Sequence, residues 1–293
     1  MDQSDRAQRR ERRRRLFARA QRLGEEGRND AAAAAYEELL RLEPRHAPAW
    51  FNLSLIHKQG RRWPELMACC RRVLALDPSD EGARWNLGIA ATALRDWPAA
   101  RAAWRAYGLT MPDGEGPPDL NYGLTPIRLN PADAAEVVWC RRVDPARAIV
   151  ESVPFPDSGH RWHDVLLHDG EPHGERTLGG QPVPVFDELE RWEPSNTPTL
   201  TVAIEAPDRE AVEALVEVVG ESGWAAEDWS GSARALCQEC SRSRVDGEGP
   251  TASTWQTHRH VGIAAPPTVA DRLLEAWARA EPGRARGPTE LAF

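Results

Sequence analysis

The segments YEELLRLEP (36–44), CRRVLALDP (70–78) and WRAYGLTMP (104–112) each close on a proline, and Pro44, Pro78 and Pro112 stand 34 residues apart. Upstream of each proline the chemistry recurs in register. Eight residues before come Tyr36, Cys70 and Trp104; twelve before, Ala32, Leu66 and Ala100; twenty-four before, the small residues Ala20, Ser54 and Gly88. An apolar run at helical spacing leads to a short polar turn (GRND, GRRW, LRDW) and then to a second amphipathic run that the proline stops. Each unit therefore reads as a helical hairpin. The small residue lets the two helices approach, and the large one is expected to fill the gap to the next hairpin.

These residues resemble the tetratricopeptide repeat family over about residues 13–114. The resemblance rests on Gly27, Ala32 and Tyr36 in the first unit, Trp50 and Leu53 in the second, and Leu87, Gly88, Ala100 and Trp104 in the third. Arg19, His57 and Cys70 depart from the pattern. The resemblance implies stacked hairpins whose first helices line a concave face, with residues at one offset forming a row along it. Twenty-seven residues before the prolines that row holds Phe17, Phe51 and Trp85, followed one position later by Ala18, Asn52 and Asn86. Four positions after the aromatics come Gln21, Leu55 and Ile89. Exposed aromatics offer contact area at low entropic cost, and an asparagine amide pairs with peptide backbone whatever its side chains. Related tetratricopeptide proteins hold ligand backbone with asparagines at this place, so Phe17, Phe51, Asn52, Leu55, Trp85, Asn86 and Ile89 are the expected peptide-binding residues. The competing reading packs Phe51, Leu55, Trp85 and Ile89 beneath the protein's own later segments.

Three hairpins account for only part of a chain of 293 residues, so an α+β organisation is expected. After the hairpins of residues 1–114, the Gly- and Pro-rich residues 115–135 read as a linker. Residues 136–196 carry short strand-like runs at VVWCRRV (137–143), AIVESVPF (148–155), HDVLLHD (163–169) and QPVPVFDEL (181–189), which suggest a small β-rich domain. From 197 to 293 the order changes. LTVAIEAP (200–207) reads as a strand, a helix follows from Asp208, and SARALC (232–237) reads as a strand. WQTHRHVGIAA (255–265) and the helix behind Pro266 and Pro267 repeat the theme, with TELAF (289–293) as a last strand. Two such units predict a ferredoxin-like sandwich. The chain beyond Asn121 also resembles the C-terminal parts of bacterial tetratricopeptide proteins of unassigned activity.

Five cysteines, two of them adjacent at Cys69 and Cys70, do not form a disulfide framework, and no run of 18 apolar residues is present. A cytoplasmic location without membrane insertion is the expectation. The net charge of −8 argues against nucleic acid as the main ligand, although nine arginines fall in the first 22 residues. Such an arm can contact phosphates or anionic lipid; the plainer reading is the solvated start of a helix.

Two clusters carry possible chemistry. Cys237 and Cys240 form a C-x-x-C pair, with His258 and His260 in H-x-H beyond it, and thiolate plus imidazole is a donor set that zinc accepts. Without metal, Cys237 is a buried strand residue and the histidines a solvated face. The second cluster is His160, His163, His168 and His173 with Asp164 and Asp169, where His163 and His168 are expected on opposite strand faces. No phosphate loop, nucleophile elbow, H-E-x-x-H or dinucleotide fingerprint occurs. The functional expectation is an adaptor that binds a peptide or partner protein. The alternatives are a zinc-dependent regulatory or enzymatic C-terminal region targeted by the repeats, and an immunity or antitoxin-like inhibitor.

Overall fold

A computed structural model describes residues 3–133, 136–230 and 255–293. The chain divides into two compact units, Met1–Pro118 and Asp119–Phe293.

The first unit is six helices: α1 (Gln3–Glu25), α2 (Asn29–Leu42), α3 (Ala47–Gln59), α4 (Trp63–Leu76), α5 (Glu81–Ala93) and α6 (Trp97–Tyr107). They pair as three hairpins that match the 34-residue period. Helix starts are written into the sequence. Asp80 and Asp96 accept hydrogen bonds from the backbone N–H of Ala83 (2.7 Å) and Ala99 (3.1 Å), and His46 Nδ1 accepts from Ala49 (3.2 Å). Inside each hairpin the turn places one residue in the left-handed region, again at 34-residue spacing: Gly27 (φ 73°), Arg61 (φ 54°) and Arg95 (φ 58°). Only the first is a glycine, so the other two carry a modest backbone strain.

The small and large residues meet inside the hairpins. Ala20, Ser54 and Gly88 are buried, as are Tyr36, Cys70 and Trp104. A Cβ on Gly88 would stand 2.5 Å from the Trp104 ring. Trp104 thus fills the space over Gly88 in its own hairpin, not a gap to a following one as the sequence suggested, because without a Cβ the α5 backbone admits the indole directly.

The second unit holds two sheets. β1 (Leu124–Leu129), β2 (Glu136–Arg142), β3 (Arg147–Val150), β4 (Val165–Leu178) and β5 (Gln181–Glu193) close into a barrel, with β1 antiparallel to β2 and parallel to β5. The stretch read as a linker therefore contains the first barrel strand. Its pairing places Pro126 opposite Trp139 and buries Ile127 and Leu129 with Val138, Cys140, Ala148, Val150, Leu166 and Phe186. β4 runs well past the expected HDVLLHD segment, with bulges between Val165 and Glu175, and turns at Gly179 (φ 56°) and Gly180 (φ 79°) into β5.

Then follow β6 (Thr199–Glu205), α7 (Arg209–Glu221), β7 (Ala225–Asp228), β8 (His258–Ala264), α8 (Pro267–Ala280) and β9 (Ala285–Leu291). The sheet is antiparallel in the order β7-β8-β6-β9. Among the described residues the elements follow as β-α-β-β-α-β, a mixed α+β organisation. Asp208 caps α7 through Ala211 N–H at 2.8 Å. The strand after α7 is Ala225–Asp228, whereas SARALC lies outside the described residues. The core joins Leu200, Val202 and Ile204 of β6 to Leu215 of α7 and Leu274 and Trp277 of α8. Barrel and sandwich are tied by a small cluster of Val153, Trp162 and Ala264, flanked by Trp224, Ala225 and Trp229. Trp229 Nε1 donates to the Val153 carbonyl (3.0 Å), and Glu227 accepts the Val153 N–H (3.0 Å). The Trp229 ring lies against Gly262, where a Cβ would come within 2.1 Å.

Candidate functional site

The first helices of the three hairpins, α1, α3 and α5, carry the residues that the 34-residue offset singled out, and α3 touches both of the others. Phe17 lies edge-on to Tyr36 (5.9 Å between ring centres) and 4.9 Å from the His46 ring. Phe51 rests on the α5 backbone, where a Cβ added at Gly82 would meet its ring at 3.0 Å. Trp85 stands edge-on to Trp104 (5.0 Å) and Tyr107 (4.8 Å). Phe17, Phe51, Leu55 and Trp85 are all half-buried, so each is anchored on one side and open on the other. Packing on one side already restricts each rotamer.

Asn52 is also half-buried, but its amide N–H donates to the Tyr36 hydroxyl at 3.0 Å. The bond fixes the amide plane and leaves the carbonyl oxygen and the second N–H for another partner. Burial pushes the Tyr36 phenol up from its ordinary pKa, partly opposed by the Asn52 bond, so the hydroxyl stays protonated.

Asn86 and Ile89 differ from expectation. Asn86 is only 4% exposed and Ile89 is fully buried. The reason is packing: α5 lies more extensively against α4 than α3 does against α2, and this covers residues that remain partly open in the preceding hairpin. A ligand reaches neither side chain without displacing structure. The accessible row is Phe17, Phe51, Asn52, Leu55 and Trp85.

The histidine cluster is dispersed. His163 precedes β4, is exposed, and stacks on Trp162 at 3.4 Å. His173 Nδ1 stands 2.9 Å from the Asp187 carboxylate, which also pairs with Arg128. His160 is buried with Nε2 2.8 Å from Glu188 and Nδ1 2.8 Å from the Ser158 carbonyl. Both ring nitrogens face acceptors, an arrangement that favours the doubly protonated imidazolium. Burial alone would lower its pKa, but the Glu188 bond and charge together raise it. Glu188 also accepts the Asn130 N–H at 3.0 Å, so this network knits β1, β5 and the loop at Ser158. His168 is fully buried beside Phe186; Nδ1 donates to the Asp169 carbonyl at 2.7 Å, and Nε2 has no hydrogen-bond partner. Burial, with the Arg142 charge adding, brings its pKa down to about 3.

Of the zinc candidates, His258 and His260 lie on β8 and are exposed, with His258 3.7 Å from Glu205. Cys237 and Cys240 fall outside the described residues. Among the described residues no group of three or more His, Cys, Asp or Glu side chains converges as metal ligands. Burial pushes the Cys69 and Cys70 thiols up to about 12 and Cys140 well above its ordinary value, so these three are unreactive core residues. Sequence reasoning missed Glu188 and Asp187, which sit in an ordinary-looking strand and acquire their role only through pairing.

The helical unit has the tetratricopeptide arrangement. Solved structures similar to it include the first tetratricopeptide domain of Spaghetti (RPAP3) bound to the HSP90 peptide SRMEEVD, at 18% identity, and the TPR2B domain of yeast Sti1 in a pHsp70 complex, at 19%. Each similarity covers 33% of this chain and 77% of the other, with a TM-score of 0.31. No family model matches the sequence, and no curated protein matches it. Among the described residues no helix is long and apolar enough to cross a membrane.

Proposed function

We propose that the helical unit binds an extended segment of a partner protein across Phe17, Phe51, Asn52, Leu55 and Trp85, making the chain a protein-interaction adaptor. The observation that carries this reading is the row of half-open aromatics at one offset in three successive hairpins. A core position would be closed, and a purely solvated one would not hold three large rings. The contacts are apolar with one amide, which suits a mixed or apolar segment whose backbone pairs with Asn52 better than an acidic tail. The setting proposed for this interaction is cytoplasmic.

The test is affinity capture with the tagged full chain followed by mass spectrometry, comparing Leu55→Glu and Asn52→Ala with the parent. Placing a charge where apolar contact is expected removes about 1–3 kcal/mol of burial, so recovery of a specific partner should drop about fivefold or more in Leu55→Glu. Thermal unfolding should shift little, because Leu55 is only half-buried. Equal recovery from both variants and the parent refutes this use of the face.

A further inference from the structure

Helix α1 does more than close the first hairpin. Its core contacts are made by Leu16, Ala20 and Leu23, all in its second half. From Arg9 to Arg15 the sequence is RRERRRR, a net charge of +5 over seven residues. At about 1.5 Å of rise per residue this is roughly one positive charge per 2 Å. The first 22 residues hold nine arginines against Asp2, Asp5 and Glu11, giving +6, so a chain of net −8 carries −14 elsewhere. The acidity that argued against a polyanion is not located on this helix.

Stability does not explain the placement. Arginines three and four residues apart on the helix repel one another. Arg12, Arg13 and Arg15 are offset by Glu38 (2.8 Å), Glu43 (3.4 Å) and Glu11 (2.8 Å). Arg9, Arg10, Arg14, Arg19 and Arg22 are exposed, with no carboxylate at ion-pairing distance among the described residues. At about 100° per residue the arginines stand on both flanks of the buried stripe. Arg12, Arg15 and Arg19 border one shallow depression, and Arg10, Arg13 and Arg14 occupy the opposite flank. Between the flanks the outward surface has no large apolar residue that could enter a lipid interface.

We propose that the arginine-rich half of α1 docks in the groove of a nucleic-acid duplex. A groove presents phosphates on two walls, and a helix with cations on both flanks meets both at once, whereas a flat anionic surface meets one. The charge spacing also corresponds: a duplex carries about one negative charge per 1.7 Å of axis. Binding is electrostatic and independent of sequence, with backbone phosphates as the recognised chemistry.

The test is fluorescence anisotropy of the full chain with RNA and DNA duplexes of about 20 base pairs, at about 50 and 200 mM salt. Neutralising about five phosphates predicts an affinity loss of roughly 500-fold between those salts. The triple variant Arg9→Ser, Arg10→Ser, Arg14→Ser should bind at least tenfold more weakly at the lower salt, with circular dichroism showing the folded helical content retained. Absence of binding to both at low salt, or an unchanged triple variant, overturns the proposal. So does binding confined to phosphatidylserine-containing vesicles.

Discussion

His168 sits in the barrel as a neutral imidazole with its Nε2 lone pair facing protein interior, and acid should pull the barrel apart through it. Its folded pKa is about 3, against about 6.5 in an unfolded chain. Because the folded pKa is the lower one, the unfolded state binds more protons between those limits. Stability is fully present above pH 6.5 and is lost as pH falls toward 3. The linkage relation gives a loss of about 2 kcal/mol between pH 8 and pH 5, and a ceiling of about 5 kcal/mol for the whole interval. Replacing His168 by Phe removes the titrating group while keeping a ring of similar size beside Phe186. The variant loses the bond to the Asp169 carbonyl, about 1 kcal/mol at all pH values. Its stability should therefore fall less steeply with acid than that of the parent. Urea unfolding followed by tryptophan fluorescence, run on both proteins from pH 8 to pH 5, measures the difference. Parallel curves for the two proteins would refute the assignment.

Two further outcomes follow from the packing and pairing. His160, held between Glu188 and the Ser158 carbonyl, has a raised pKa, so its contribution is complete below pH 6.5 and disappears as pH rises through the folded value; an NMR titration of its ring protons should give a midpoint above 6.5, and one at or below that value contradicts the buried ion pair. Gly88→Ala drives a methyl into the Trp104 indole and should lower stability by about 1–3 kcal/mol, although alanine is the better helix former by about 1 kcal/mol; an unchanged or raised unfolding midpoint in denaturant would show that the hairpin relaxes freely.

The helical hairpins were legible because their signal is repeated: Pro44, Pro78 and Pro112 each test the same register, and Gly88 facing Trp104 is visible as a size pattern. β1 was hidden because Pro126 and the surrounding glycines and prolines look like linker chemistry, while its strand character comes from pairing with β2 and β5 far along the chain. The extent of β4 was hidden by bulges that break alternation. At the candidate site, the half-open state of Phe17, Phe51 and Trp85 agrees with their common offset. The closure of Asn86 and Ile89 was not legible, since the same offset in α3 and α5 meets different amounts of neighbouring helix. The Glu188 partner of His160 lies 28 residues away and has no local signature.

Arg101 projects from α6 into the protein, and its guanidinium donates to the carbonyls of Pro112 (2.9 Å) and Gly116 (2.7 Å). The chain that leaves the third hairpin is thereby folded back along it and sewn down. Repeat arrays ordinarily grow by stacking one unit on the last, and a bare terminal face invites another copy to add itself. Here the connecting segment occupies some of that ground without contributing a seventh helix. The third hairpin thus ends in a cationic stitch rather than in a bare face.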